Sequence, residues 1–374
     1  MSKNSDEILR VLVIMPALNI CGGMESFIMN YFRNIDRNKI IFDFITHDIS
    51  DNSYEKEIIE LGGQIYKLPP FSFGTLKNIR SLYKEILIKN KYKIVHCNMA
   101  NAAFIYLKIA EDLKVPVRIL HSHQDKAADT FSHVLRNIPL IALGKKYANV
   151  NLACSKQAGD YLFKDKKYYI VNNAIDYDKY KYNEEIRSKV RKELKLENSF
   201  VIGNTGRLCL QKNQSFLIEV FSAIVNIKNN AVLMIVGEGE KHAELRELTE
   251  SKGISDKVLF LGSRNDIDEL LQAMDVFVFP SIYEGLGISL LEAQAASLKA
   301  FCSDTIPKAA NISNELIYIS LEKSYEEWAE IILTNSDKIL RSTDLSLNKD
   351  YDIKSEAIKL SELYSEVLNR ENYL

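Results

Sequence analysis

Phe279-Pro280-Ser281-Ile282-Tyr283-Glu284-Gly285-Leu286-Gly287 closes one apolar run, Asp275–Phe279, and leads into another segment, Ile288–Ala296, rich in Ala and Leu. The run reads as a buried strand, the middle as a loop with a carboxylate and two glycines, and the last segment as a helix. Glycines let an anion approach the backbone closely, and a new helix points unpaired N–H groups and a positive dipole end at it. On pattern alone the glycines serve equally well as a plain connecting turn, and Glu292 as a solvated helix residue.

The same strand–loop–helix unit recurs along the chain. Ile8–Met15, Ile40–Thr46, Lys93–Cys97, Val117–His121 and Val150–Ala153 read as strands, with helical patterns such as Glu25–Asn34, Leu76–Lys89 and Ala103–Leu113 between them. A polar stretch, Tyr177–Asn198, reads as a domain boundary. Strands Phe200–Thr205, Ala231–Val236 and Val258–Leu261 then alternate with helices Gln214–Ile227, Glu240–Lys252 and Ile267–Ala273, and Ile353–Asn369 is amphipathic. This alternation predicts an α/β chain of two Rossmann-like doubly wound parallel-sheet domains facing each other across a cleft. The expected divisions are 1–180, 181–350 and a C-terminal helix, 351–374, packing back on the first domain.

At 374 residues the length suits two domains, and a net charge of −2 gives no general appetite for nucleic acid. Five scattered cysteines without a C-x-x-C pair predict free thiols in a reducing compartment. Met1–Arg10 is polar and lacks a signal-peptide core, and no run approaches the ~18 apolar residues of a bilayer span. The expectation is a cytoplasmic protein, with peripheral contact to the inner membrane face left open.

Four further segments carry candidate chemistry. Arg207 and Lys212 follow the strand Phe200–Thr205 and its Gly206, two cations placed to stabilise negative charge on a departing group. His121 and His123, in Leu120-His121-Ser122-His123-Gln124-Asp125, are two apart at a strand end and so share a face. No third ligand lies nearby, so no metal site is expected there, and one histidine is read as a hydrogen-bonding or charge-stabilising group. Gly22 and Gly23 stand where a dinucleotide fingerprint would, without its spacing, and fit either a phosphate or sugar loop or a tight turn. Gly237, in Val236-Gly237-Glu238-Gly239-Glu240, opens another strand-to-helix turn that could border a nucleobase. Lys77, Arg80, Lys84, Lys89, Lys91 and Lys93 make the segment around Leu76–Lys89 basic: a solvated face or a dock for anionic lipid.

Together these segments, with Ala153–Phe163, Val171–Asp176 and Val258–Gly262, resemble the retaining family 4 glycosyltransferases of GT-B fold over nearly the whole chain. Within them the chain is similar to the bacterial exopolysaccharide and capsular-polysaccharide branch. The resemblance implies that Glu284 and Glu292 form the family's paired-glutamate motif, Glu284 at the donor sugar and Glu292 at the ribose. It implies that Arg207 and Lys212 hold the diphosphate with backbone amides at Leu286 and Gly287, in the loop that includes Gly285. His123 aligns with the family's histidine, His121 being the fallback, and Gly22 and Gly23 match its N-terminal glycine loop. The chain departs at Ala296-Ser297-Leu298-Lys299, where the family has a glycine and a proline, and again in Thr305–Ser313.

The implied reaction moves a hexosyl unit from a nucleotide diphospho-sugar, a UDP-sugar by resemblance, to a saccharide or lipid-linked oligosaccharide, with retention and without metal or other cofactor. Two alternatives stay open: a GT-B sugar-nucleotide epimerase, which needs no acceptor, and a two-domain binding protein that turns nothing over.

Overall fold

The structure is a computed structural model that describes residues 8–20, 22–50, 52–72, 74–123, 131–336, 341 and 346–371. The chain divides into two units, Met1–Ala174 with Ile353–Leu374, and Ile175–Asp352. The first unit holds β1 (Leu9–Ile14), β2 (Ile40–Thr46), β3 (Ile65–Lys67), β4 (Ile94–Cys97), β5 (Val117–Ser122), β6 (Val150–Ala153) and β7 (Tyr169–Ile170). The second holds β8 (Phe200–Thr205), β9 (Ala231–Val236), β10 (Val258–Phe260), β11 (Val276–Phe279), β12 (Lys299–Ser303) and β13 (Ile317–Ile319).

Among the described residues the sheets run β3-β2-β1-β4-β5-β6-β7 and β10-β9-β8-β11-β12-β13, and every pairing is parallel. Both are doubly wound, with strand order reversing between β1 and β4 and between β8 and β11. Interior strands such as β4 and β11 are buried along their whole length, which explains their unbroken apolar runs. In the second unit Phe277, Leu290 and Leu291 pack in a core on one side of the sheet, and Val276, Phe221 and the fully buried Trp328 in a core on the other.

Two expectations need correcting. Tyr177–Asn198, read as a domain boundary, falls within the second unit. It forms helices Tyr177–Tyr180 and Glu184–Glu193, which pack on Ile267–Ala273 and Ile288–Ala295 and bury Tyr180, Val190 and Leu196. The second unit accordingly begins at Ile175 rather than 181 and runs to Asp352 rather than 350. The C-terminal helix Ile353–Glu371 groups with the first unit, where Tyr364 is fully buried against Phe42 and His96. Cys97, Cys154, Cys209 and Cys302 are free thiols, and Cys21 lies outside the described residues. No helix among those residues is long and apolar enough to cross a membrane.

Candidate functional site

In the second unit the loops that leave β8, β9, β11 and β12 gather at the carboxyl ends of the strands, around the point where strand order reverses. That is where open parallel sheets bind ligands. The loops are laced together by main-chain and amide contacts. Leu208 N donates to Glu238 O at 2.9 Å and Ile282 N to Gln211 O at 2.8 Å, while Gln211 Nε2 reaches Tyr283 O at 3.0 Å. Asn213 Nδ2 donates to Pro280 O at 3.1 Å, and Ser303 Oγ to Ser281 O at 2.5 Å.

Lys212 and Glu284 meet in this corner. Lys212 Nζ donates to Glu284 Oε1 at 2.7 Å and lies 4.8 Å from the Phe279 ring centre, with side-chain exposures of only 17% and 8% for the pair. A cation–π contact supports an ammonium held away from water. A Cβ on Gly206 would stand 3.4 Å from Lys212 Cε, so the β8 exit and the lysine stem are in contact. Arg207 is exposed and reaches Glu240 at 3.3 Å. Glu292 lies on the helix Ile288–Ala295, where Tyr180 donates to its Oε1 at 2.7 Å. Gly287, the N-cap of that helix, has φ of 82°, and a Cβ there would press on Phe279 at 3.1 Å. Gly285 precedes it in the same loop, and Leu286 turns its side chain into the core.

Gly237 has a local reason to be glycine. Its φ is 138°, and a Cβ would fall 2.1 Å from Gly206 O; a Cβ on Gly239 would fall 2.2 Å from Leu208 O. The β8 and β9 exits therefore touch backbone to backbone.

In the first unit Gly22 caps the helix Gly23–Asn34, and Glu25 folds back into the space a Cβ at Gly22 would take, 2.0 Å from Oε2. Gly23 faces open space. Burial pushes the Glu25 carboxyl up to about 7. His121 and His123 do share a face, with Phe27 edge-on to both and their ring centres 4.1 Å apart. Gln124 and Asp125 lie outside the described residues.

Two neighbours escaped the sequence reading. His96, on β4, bonds the Tyr364 hydroxyl at 2.7 Å through Nδ1 and His121 Nδ1 at 3.0 Å through Nε2. Asn98 bonds His123 Nε2 at 2.7 Å through Oδ1. The strand-end logic that singles out His121 applies equally to His96-Cys97-Asn98. Tyr180, the partner of Glu292, carries no comparable signal because only the fold brings it to that helix.

Burial pushes His96 and His123 down to about 3, and His121 well below its ordinary value. The lowered basicity of these rings disfavours their charged form near pH 7. Among the described residues no group of three or more His, Cys, Asp or Glu is disposed to hold a metal ion.

Two units, each a parallel doubly wound sheet, are the architecture of GT-B proteins, and the second carries a buried Lys–Glu pair and a glycine-capped helix at its reversal of strand order. Residues 21–179 match the family model described as Glycosyltransferase Family 4, and residues 185–342 the one described as Glycosyl transferases group 1. A protein of Bacillus subtilis (strain 168) named as a glycosyltransferase, EpsF, is 30% identical over 338 residues, covering 86% of each chain. The UDP-Gal:alpha-D-GlcNAc-diphosphoundecaprenol alpha-1,3-galactosyltransferase of Escherichia coli is 27% identical over 310 residues, covering 78% of this chain and 80% of that one. HepE of Anabaena, crystallised with UDP-glucose, shares the fold with a TM-score of 0.80 at 18% identity, over 96% of this chain and 100% of that one. This chain belongs to the family 4 glycosyltransferases of GT-B fold.

Proposed function

We propose that the chain transfers a hexosyl unit from a UDP-sugar to a lipid-linked saccharide, with retention of configuration and without a metal ion. The observation that carries this reading is the Lys212–Glu284 pair beside Gly206, at the reversal of strand order in the second unit. Lys212 and Arg207 supply positive charge to the leaving diphosphate, and the Gly287 helix terminus adds its dipole. Glu284 faces the donor sugar, Glu292 accepts from the ribose, and Gly237 borders the base. In the first unit His123, or His121 in its place, meets the sugar, and Gly22 and Gly23 admit the donor.

The departing phosphate oxygen takes the proton of the attacking hydroxyl on the same face of the sugar. A double displacement would need a carboxylate free to attack the anomeric carbon, whereas Glu284 is held in an ion pair with Lys212. The HepE complex with UDP-glucose supports the donor class, and the Escherichia coli relative, named for a diphosphoundecaprenol substrate, supports the acceptor class. Exposed Lys77, Arg80, Lys84, Lys89, Lys91 and Lys93 suit an anionic membrane surface where such an acceptor resides.

A panel of UDP- and GDP-sugars tests the reading by thermal shift and slow donor hydrolysis, followed by the anomeric configuration of the product on a lipid-linked acceptor. A shift and hydrolysis with a UDP-sugar, and an axial-to-axial outcome, are expected; flat responses across the panel would sink it. EDTA should leave turnover unchanged, and loss restored by a divalent ion would refute the metal-free mechanism.

A further inference from the structure

The three imidazoles of the first unit are ordered by two separate chains of hydrogen bonds, Asn98–His123 and Tyr364–His96–His121, whose polarity can be worked out. A neutral imidazole carries one N–H, so each ring has one donor and one acceptor nitrogen. Asn98 Nδ2 donates to Ile14 O at 3.5 Å, which turns Oδ1 toward His123. An oxygen acceptor there requires the proton on His123 Nε2, leaving Nδ1 as the lone pair.

Beneath His123, the Tyr364 hydroxyl and His96 settle the second ring. If Tyr364 donates to His96 Nδ1, His96 donates from Nε2 to His121 Nδ1, and His121 keeps its own proton on Nε2. That nitrogen is then one buried donor with no partner among the described residues. The opposite polarity strands two groups: the proton of the fully buried Tyr364 hydroxyl, whose partner among those residues is His96, and the His121 Nε2 lone pair. Each unmet buried group is destabilising, so the arrangement that leaves one rather than two wins.

We infer that Asn98 and the Tyr364–His96 pair are positioning residues that lock His123 and His121 in the Nε2–H tautomer, so that His123 offers a neutral acceptor nitrogen to a ligand hydroxyl. The inference rests on the proposal that His123 meets the donor sugar. A neutral lone pair accepts from a hydroxyl and is repelled by a phosphate oxygen, so this ring recognises the sugar and not the diphosphate. The low basicity produced by burial agrees with it. Through Tyr364 the C-terminal helix sets the tautomer of His121, the neighbouring ring, and not that of His123.

Imidazole-nitrogen NMR on the full-length protein with isotope-labelled histidine reads the tautomers directly. Wild type should show His121 and His123 protonated on Nε2. Asn98→Leu should turn His123 into a tautomer mixture with His96 and His121 unmoved, and Tyr364→Phe should disturb the His96 and His121 signals alone. Asn98→Asp keeps an oxygen acceptor and should keep the wild-type tautomer. In UDP-sugar turnover Asn98→Leu should lower kcat about tenfold, the usual scale for losing an orienting partner, and Asn98→Asp should recover most of it. An Nδ1–H His123 in wild type, an unchanged His123 signal in Asn98→Leu, or full kcat in that variant overturns the inference. If Asn98→Leu does not fold, the wild-type and Asn98→Asp spectra still decide the tautomer. Wild-type spectra as described, with no sugar nucleotide turned over, would remove the sugar reading and leave the tautomer assignment standing.

Discussion

At the scale of single residues, the two cations at the β8 exit behave differently when removed. Arg207 is exposed and its contact with Glu240 is a surface pair, which contributes little to folding. Arg207→Ala should therefore cost about 2–4 kcal/mol of transition-state stabilisation, read as kcat/KM, with the melting temperature unchanged. Lys212→Ala should lose a similar amount of activity and also about 3 kcal/mol of stability, because the buried Glu284 loses its partner. The double change Lys212→Ala with Glu284→Gln should restore much of the stability and none of the activity. Near-wild-type turnover in either single variant would reject the role of that cation.

At the scale of elements, the helix Ile288–Ala295 ends on Ser297, whose φ is 57°, with Ser297 N bonded to Gln294 O and Leu298 N to Ala293 O, each at 3.0 Å. This is the left-handed closure that glycine favours, at the place where the family resemblance expects a glycine. Ser297→Gly should raise stability by about 0.5–1 kcal/mol, measured by denaturant midpoint, and a loss would contradict this account.

Elements were legible in the sequence where both faces of a strand are buried, as in β9 and β11, because nothing interrupts their apolar runs. The edge strands β3, β7 and β13 escaped because they are short and partly exposed, and interior β12 because Ala300, Cys302 and Ser303 carry little β preference. Tyr177–Asn198 misled because Lys and Glu outnumber the few residues that bury. Of the candidate site, glycines and charges could be found from their place after strands. Their pairing, Lys212 with Glu284 and Tyr180 with Glu292, depends on which loops the strand order sets side by side.

At the scale of the whole molecule, the first unit is completed by a helix that arrives after the entire second unit. Ile353, Ala357, Leu360, Tyr364 and Val367 of that helix are buried, and each large side chain contributes about 1.5–3 kcal/mol, a sum comparable to the stability of a domain. Deleting residues 353–374 should abolish the cooperative melting of the first unit while 175–352 still melts as a unit, which calorimetry can separate.

The buried histidines add a pH dependence. In the unfolded chain they take up protons near 6.5, but His96 and His123 in the fold do so at about 3. Between those values the unfolded state binds more protons, so stability is fully present above about pH 6.5 and declines as pH falls. Glu25 opposes this, since its carboxyl rises from 4.5 to about 7 and favours the fold as pH drops through that window. Three imidazoles against one carboxyl leave the histidines dominant. Melting temperature should fall with acid below about pH 6, more steeply in Glu25→Gln; a flat profile would contradict the burial of these rings.

The backbone contact of Gly237 and Gly239 with Gly206 and Leu208 bears on how this enzyme can be re-engineered. Any side chain at either glycine would push apart the loops carrying Arg207 and Lys212. A mutagenesis library aimed at a new donor would fill with inactive clones if it randomised those two sites.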